Sequence, residues 1–321
     1  MLPLVVALVL HWRGPDKTRR CLESLRHTNY GNYTVLLVDN GSDSHDGPGL
    51  AAEFPEVKLL TLDSNYGFAG GCNRGIDFAL AQGADFIWLL NNDACAEPRS
   101  IEILVKAAQA DEKAAALGAI VVEGDQSKAE EAGIGEINYR RAKTFLRKTE
   151  GRLAGTEVAA NSGNTAANGT ISCQWLSGSN LLLRARALKE VGLFDERYYL
   201  YFEDVDLCHR LVLHGYKCLL VPGSTIVHEG NASTPGGLSL WRTYYHTRNR
   251  LLFFMHYTKG PDRLLALISI MGHFLRHCFS LPLKGARGQA RLKAEWLGLN
   301  DYFAGRLGRA TCLDWCEKIK L

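Results

Sequence analysis

Two short acidic stretches carry the side chains best suited to chemistry. Asn91-Asn92-Asp93 ends the apolar run Phe86-Ile87-Trp88-Leu89-Leu90, and Glu203-Asp204-Val205-Asp206 follows further along the chain. A carboxylate beside amide oxygens can hold a hard divalent cation, and a second carboxylate can take a proton from a hydroxyl. An apolar run that stops abruptly in polar residues reads as a central strand delivering ligands to the carboxyl edge of a sheet, where open α/β folds bind them. In the second stretch helical spacing separates the candidates. Positions 204, 207, 208 and 211 share one face, and three of them are Leu207, Cys208 and Leu211, so Asp204 is expected to point inward. Asp206 lies roughly 200° around at about 100° per residue, with Arg210 one turn on, and reads as a solvated or structural ion pair. A role for Asp204 as a helix N-cap alone competes with a role as base.

The elements that must position these groups follow from periodicity. Apolar runs at 4–10, 33–39, 57–62, 85–90 and 117–122 read as strands alternating with helices over 15–27, 70–81 and 98–110, the pattern of βαβ units. Residues 124–172 are rich in small and polar residues and read as an insertion or mobile loop. A strand over 174–183 interrupted by Ser177-Gly178-Ser179, helices over 184–191 and 203–214, and strands at 217–221 and 225–228 complete the body; helices over 240–256 and 262–279 follow. The expected division is a body over 1–239 and a helical extension over 240–321.

At 321 residues with 46% hydrophobic and 22% charged content the chain is a globular protein with a sizeable core. Nine scattered cysteines without a Cys-x-x-Cys pair suit reduced core thiols, and Cys312 with Cys316 lacks further ligands for zinc. The apolar start at Leu2 to Leu10 lacks a basic leader and a cleavage site and reads as the first strand. Residues 241–321 hold 14 Lys and Arg against 5 Asp and Glu, whereas the whole chain is only +3. Such a basic tail suits an anionic membrane face better than nucleic acid, with a solvated helical tail as the competing reading. Leu264–Met271 is too short to span a bilayer and suggests an interfacial helix.

Taken in order, several motifs resemble the family 2 glycosyltransferases, in particular the rhamnosyltransferase-like branch. They are Leu10-His11-Trp12-Arg13, Val38-Asp39-Asn40-Gly41-Ser42, the glycine-rich stretch from Asn65 to Gly75, Asn91-Asn92-Asp93, Trp175 to Asn180, Gly192 to Glu196, Glu203 to Leu207 and Val221 to His228. The resemblance implies a GT-A (nucleotide-diphospho-sugar transferase) fold, α/β with a mostly parallel central sheet flanked by helices and a C-terminal helical extension. It places Trp12 against the nucleobase and Asp39 on the base N–H, although a core aromatic and a turn residue are competing readings. Asn65, Gly67 and Asn73 fall in the glycine-rich stretch, where small residues and a helix start near Gly70 suit a diphosphate; a tight strand-to-helix turn would look the same. The family's Asp-x-Asp is reduced here to one acid. The resemblance implies Asp93 as metal ligand with Asn91 in support, Asn92 on the ribose, and His228 as a further ligand, a set that suits Mn²⁺ or Mg²⁺. From spacing alone His228 would be structural.

By the same resemblance Asp204 is the general base of an inverting transfer of one sugar from a UDP- or dTDP-sugar. Trp175, Gly178, Ser179 and Glu203 are the implied acceptor residues, and the acceptor is a glycan or a polyprenyl-diphosphate-linked one. The Gln-x-x-Arg-Trp motif of processive synthases is missing, so a single addition is expected. The basic C-terminal part contains Tyr244-Tyr245-His246-Thr247-Arg248-Asn249, also familiar in that branch. The resulting expectation is a cytoplasmic enzyme of cell-surface polysaccharide assembly at the inner membrane face. The loss of acid at Asn91 and Asn92 supports a silent glycan-binding scaffold instead. A nucleotidyltransferase is disfavoured, because no glycine-rich, Lys- or Arg-bearing triphosphate loop follows the first strand.

Overall fold

The computed structural model describes residues 1–42, 46–123, 134–147, 169–228 and 240–311. Cys312 and Cys316 fall outside them, as does much of 124–172. The chain forms two compact units: 1–136, 146–194 and 204–230 make the first, and 137–145, 195–203 and 231–321 the second.

The first unit is built on a nine-stranded sheet in the order β3-β2-β1-β4-β10-β6-β11-β5, with β9 beside β11. The strands are β1 (Val5–His11), β2 (Tyr33–Asp39), β3 (Lys58–Thr61), β4 (Phe86–Asn91), β5 (Ala94–Ala96), β6 (Ala114–Glu123), β9 (Ile171–Cys173), β10 (Asn180–Arg184) and β11 (Lys217–His228). β1, β2, β3, β4, β6 and β11 run one way, and β5, β9 and β10 run against them. β1 and β4 are buried almost throughout, which explains their unbroken apolar sequences. Helices α1 (Pro15–Arg26), α2 (Asp46–Glu53), α3 (Gly67–Ala81), α4 (Ser100–Ala110), α5 (Ala185–Val191) and α6 (Glu203–Leu213) accompany the sheet.

Register decides what reaches the edge. His11 pairs with Asp39, Asp39 with Thr61, and Leu10 with Asn91, so β1 to β4 end at one level. Asn180 locks the centre from the antiparallel side: its Oδ1 accepts the Trp88 indole N–H at 2.9 Å, and its Nδ2 donates to the Ala119 carbonyl at 3.0 Å.

Several elements differ from the periodicity reading. The stretch 124–172 carries ordered strand within its described residues: β7 (Ile134–Asn138) pairs with β8 (Lys143–Arg147), and β9 joins the main sheet. β11 is one strand rather than two, with a register shift between Val221 and Thr225 where Pro222 and Gly223 interrupt regular pairing. α2 and β5 are too short for a periodic signal. Of the two readings for Asp206, the structural ion pair holds: it is 3% exposed, and Arg210, 2.7 Å away, also donates to the Val191 and Leu193 carbonyls.

The second unit contains α7 (Leu240–Tyr257), α8 (Gly260–Ser280) and α9 (Gly285–Phe303). Among the described residues no single helix is long and apolar enough to cross a membrane. α7 and α9 pack closely at Gly298, where a Cβ would lie 2.7 Å from the Tyr244 carbonyl oxygen. Within this unit the strap 195–203 holds Tyr199, Tyr201 and Phe202 at φ of 65, 67 and 75°, a left-handed conformation costing roughly 1–2 kcal/mol per non-glycine residue. Two buried side chains of α7 hold it there. Asn249 Nδ2 donates to the carbonyls of Tyr198, Leu200 and Tyr201 at 2.9, 2.9 and 2.7 Å. Arg248 donates to those of Arg197 and Tyr198 at 3.2 and 3.0 Å, and Tyr199 stacks on Tyr245.

Asn249→Ala leaves three strap carbonyls without this donor and should destabilise the chain by about 2–4 kcal/mol, since orphaning a buried acceptor costs about 1–3 kcal/mol. A lowered urea midpoint, with faster proteolysis between 197 and 202, is the expected measurement.

Candidate active site at the carboxyl edge of the sheet

The loops leaving β1, β2 and β3 are tied together by Asn40. Its main-chain N–H donates to the His11 carbonyl at 2.8 Å, its Oδ1 accepts from Tyr66 N–H at 3.0 Å, and its Nδ2 donates to the Gly67 carbonyl at 2.9 Å and to Asn65 Oδ1 at 3.2 Å. Asn65 Oδ1 also accepts from Gly67 N–H at 2.8 Å, which starts α3 three residues before Gly70. Gly41 has φ 63°, and a Cβ there would meet the Ser64 carbonyl carbon at 2.4 Å, so this approach of two loops requires glycine.

Asp39 is 1% exposed and accepts from Ser42 N–H at 2.9 Å and Ser42 hydroxyl at 3.2 Å. Trp12, half-buried, has the Arg13 guanidinium 4.0 Å over its ring. Asn92 donates to the Arg13 carbonyl at 3.0 Å and to Thr18 Oγ1 at 2.9 Å, which orients it toward the loop after β1. Asn73 faces a different partner: its amide donates to the Phe194 carbonyl and accepts from the Phe194 N–H, at 2.9 and 3.0 Å. A buried side chain held at both ends in this way braces the chain.

Asp93 and His228 are brought together by β5, where Ala94 pairs with His228. Asp93, 8% exposed, has Oδ1 3.1 Å from His228 Nε2 and Oδ2 3.7 Å from the Lys17 ammonium. Lys17 carries no sequence signal beyond its place in the first turn of α1. The donor set of one carboxylate, one imidazole nitrogen and the Asn91 amide two residues earlier fits a divalent cation of the Mn²⁺ or Mg²⁺ kind.

The turn Ser177-Gly178-Ser179 joins this group to the second acidic stretch. Ser179 accepts from Asn91 N–H at 2.9 Å, and Gly178 N–H donates to Asp204 Oδ2 at 2.9 Å. Asp204 Oδ1 accepts from Val205 N–H at 2.8 Å. One turn therefore spans the loop bearing Asp93 and the helix bearing Asp204. A Cβ on Gly178 would come within 3.1 Å of the Phe68 ring, which would have to give by a few tenths of an ångström, and would make ordinary contact with Asp204 Cβ at 3.5 Å. Leu207, Cys208 and Leu211 are buried below Asp204, as their spacing predicts. Burial raises the Asp204 carboxyl above the ordinary aspartate range, and the Gly178 and Val205 N–H groups act against it. Trp175 is 8% exposed and donates its indole N–H to the Glu136 carbonyl at 3.2 Å. Glu203, which belongs to the strap of the second unit, is 4% exposed.

The profile of glycosyl transferase family 2 matches residues 7–168. The N-acetylglucosaminyl-diphospho-decaprenol L-rhamnosyltransferase of Mycobacterium tuberculosis is 32% identical over 245 residues, spanning 72% of this chain and 77% of the relative. Among solved structures, GalNAc-T7 with UDP, GalNAc and Mn²⁺ superposes with a TM-score of 0.61 at 12% identity, over 94% of this chain and 57% of that one. The mannosyltransferase PcManGT from Pyrobaculum calidifontis, in complex with GDP-Man and Mn²⁺, gives 0.52 at 14% identity, over 99% and 79%. At these identities the two structures establish the fold alone, and the fold is GT-A, as the motif order implies.

The raised Asp204 carboxyl has a consequence for stability. A folded-state value above the unfolded one favours the fold below the unfolded pKa, and that contribution is lost as pH rises through the raised value. The stability of Asp204→Asn relative to the parent should therefore climb with pH across that window and then level off. Urea midpoints at fixed temperature read the difference, and a pH-independent gap would show an unshifted carboxyl.

Proposed function

Because the chain belongs to glycosyl transferase family 2 and is a glycosyltransferase, we propose that it moves one sugar from a nucleoside-diphosphate sugar to a hydroxyl of a glycan or lipid-linked acceptor, with inversion and with a divalent metal. The observation that carries this reading is the Ser177-Gly178-Ser179 turn linking Asn91 and Asp204. An acceptor-activating carboxylate and a diphosphate-holding one on adjoining elements are what a direct displacement requires.

In this mechanism Asp204 takes the proton of the acceptor hydroxyl as that oxygen attacks the anomeric carbon from the face opposite the diphosphate. Burial suits it to the task, since a carboxylate raised above its usual range is a stronger base. Gly178 N–H keeps Oδ2 oriented without neutralising it. A divalent cation held by Asp93 and His228, with Asn91 in support, would neutralise charge on the departing nucleoside diphosphate. Lys17 places a further positive charge beside the same carboxylate, and the first turn of α3 offers backbone N–H groups to phosphate oxygens. Trp12 gives a base a ring face opposite Arg13, and Asp39, with Asn65 and Asn92, frames the nucleoside side. Trp175, Gly178 and Ser179 serve the acceptor.

The Mycobacterium tuberculosis relative is named for rhamnosyl transfer to a decaprenyl-diphosphate-linked sugar. This supports a polyprenyl-diphosphate-linked glycan as acceptor and a deoxyhexose such as rhamnose as the sugar moved; a dTDP- or UDP-sugar donor and a site at the inner membrane face rest on the motif resemblance alone. A donor screen by release of free nucleoside diphosphate tests the reading. Asp204→Asn should lower turnover by about 10²–10⁴-fold, the usual range for a general base, with donor affinity little changed. Asp93→Ala should abolish the dependence of nucleoside-diphosphate binding on Mn²⁺ in calorimetry. Full turnover in Asp204→Asn would remove it as the base.

A further inference from the structure

The second unit carries an open cavity of about 440 Å³ lined by the tip of the β7–β8 hairpin and by α7, α8 and α9. Four of its lining side chains are cationic, Lys143, Arg242, Arg250 and Arg291, and one, Glu295, is anionic. Glu295 is 4% exposed and lies 2.8 Å through both oxygens from His277 Nδ1, with Arg291 Nε at 3.4 Å. Its charge is matched locally, so the cavity keeps a positive excess.

Burial holds the Arg250 guanidinium down to about 10, with Glu295 acting against it. That guanidinium is fixed in the wall by donating to the Ala142 carbonyl and, at 3.1 Å, to that of Arg141. His246 and His273 also line the cavity. Burial, reinforced for His246 by Arg242 and Arg250 and for His273 by His277, Arg250, Arg276 and Lys143, holds each at about 4. Both are neutral near pH 7 and add hydrogen-bonding groups rather than charge. Lys143 and Arg242 are exposed and Arg250 and Arg291 half-buried, so the space is open to solvent, and four cations around one matched carboxylate favour an anion there. Guanidinium and ammonium groups are the natural partners of tetrahedral oxyanions, and the volume falls within the range of small-ligand pockets.

We infer that this cavity is a binding site for a phosphate or diphosphate group, built from residues none of which belongs to the Asp93, His228 and Asp204 set. A cation is the competing occupant, because His273, His277 and Glu295 offer ligand atoms within 4.8 Å of one another. It would face Arg250 and Arg291 and would have to break the His277–Glu295 pair, so the anion is favoured. The group can come from a soluble ligand or from a lipid. Leu264, Ile268, Leu275 and Phe279 are 59, 57, 55 and 78% exposed along one face of α8, on the side of the helix away from the cavity, so they do not by themselves choose between the two sources. By helical spacing that face lies roughly 180° from Ile270, His273 and Phe274, at about 100° per residue.

The test is calorimetry of the full chain with inorganic pyrophosphate, without divalent metal, on an Asp93→Ala background that disables the proposed donor site. Saturable binding is expected, weakened at least about ten-fold by Arg242→Gln and by Lys143→Gln, as loss of a charge-assisted hydrogen bond requires. Circular dichroism should be unchanged; Arg250 is left in place because it braces the hairpin. Equal pyrophosphate affinity in the Arg242→Gln/Arg291→Gln double variant would overturn the site, as would Zn²⁺ binding through His273 that excludes pyrophosphate. Flotation with phosphatidylcholine vesicles, with and without a polyprenyl diphosphate, separates the sources. Retention that needs the diphosphate lipid and is lost in Arg242→Gln assigns a membrane ligand. Pyrophosphate binding without such retention assigns a soluble one. Donor turnover plays no part in these readouts, so failure here leaves the transferase reading standing, and the reverse holds too.

Discussion

The site depends on a short turn with no ionisable side chain. Ser177-Gly178-Ser179 presents a carbonyl to the loop of Asn91 and an N–H to the carboxylate of Asp204. The turn can do this because β10 runs antiparallel to β4 and begins at the same level where β4 ends. Asn180, the first residue of β10, is anchored in the core by Trp88 and Ala119, so the turn cannot slide along the edge. A buried amide satisfied at both ends fixes register more firmly than an apolar side chain of the same size, which could repack.

Short contacts of this kind recur wherever loops meet. Asn40 ties three strand ends together, Asn73 holds the main chain at Phe194, and within the second unit Asn249 holds the strap 198–201. Asparagine suits the task because it is compact and carries both a donor and an acceptor. These amides convert loops, which would otherwise be variable, into fixed scaffolding. In the second unit the scaffolding also offsets left-handed backbone at Tyr199, Tyr201 and Phe202. Strain of this kind persists only where the surroundings over-determine it. The last residue of that strap, Glu203, is bonded directly to Asp204.

Much of this was open to reading in one dimension. The runs at 33–39 and 85–90 were legible because strands buried on both faces must be apolar throughout, and Leu207, Cys208 and Leu211 marked the buried face of α6. Asp93 and Asp204 stood out because an acid at the end of an apolar element is costly without a purpose. Elements of a few residues, such as β5 and α2, left no trace, since three to eight residues cannot display a period. The roles of Asn40, Asn73 and Lys17 were equally hidden, because a polar residue in a loop looks the same whether it faces solvent or clamps a backbone.

The amino-acid sequence by itself determined the alternating architecture, the order of the motifs and the types of group available for catalysis, because periodicity and residue chemistry are local properties. Only the tertiary structure decided which of those groups meet. His228 reaches Asp93 because a three-residue strand pairs with the end of β11, and Asp204 is tied to the turn that holds Asn91 by one backbone N–H. The His228–Asp93 meeting joins residues more than a hundred apart in the chain and the Gly178–Asp204 bond residues 26 apart, and meetings at such range are set by strand register and loop packing rather than by any local period.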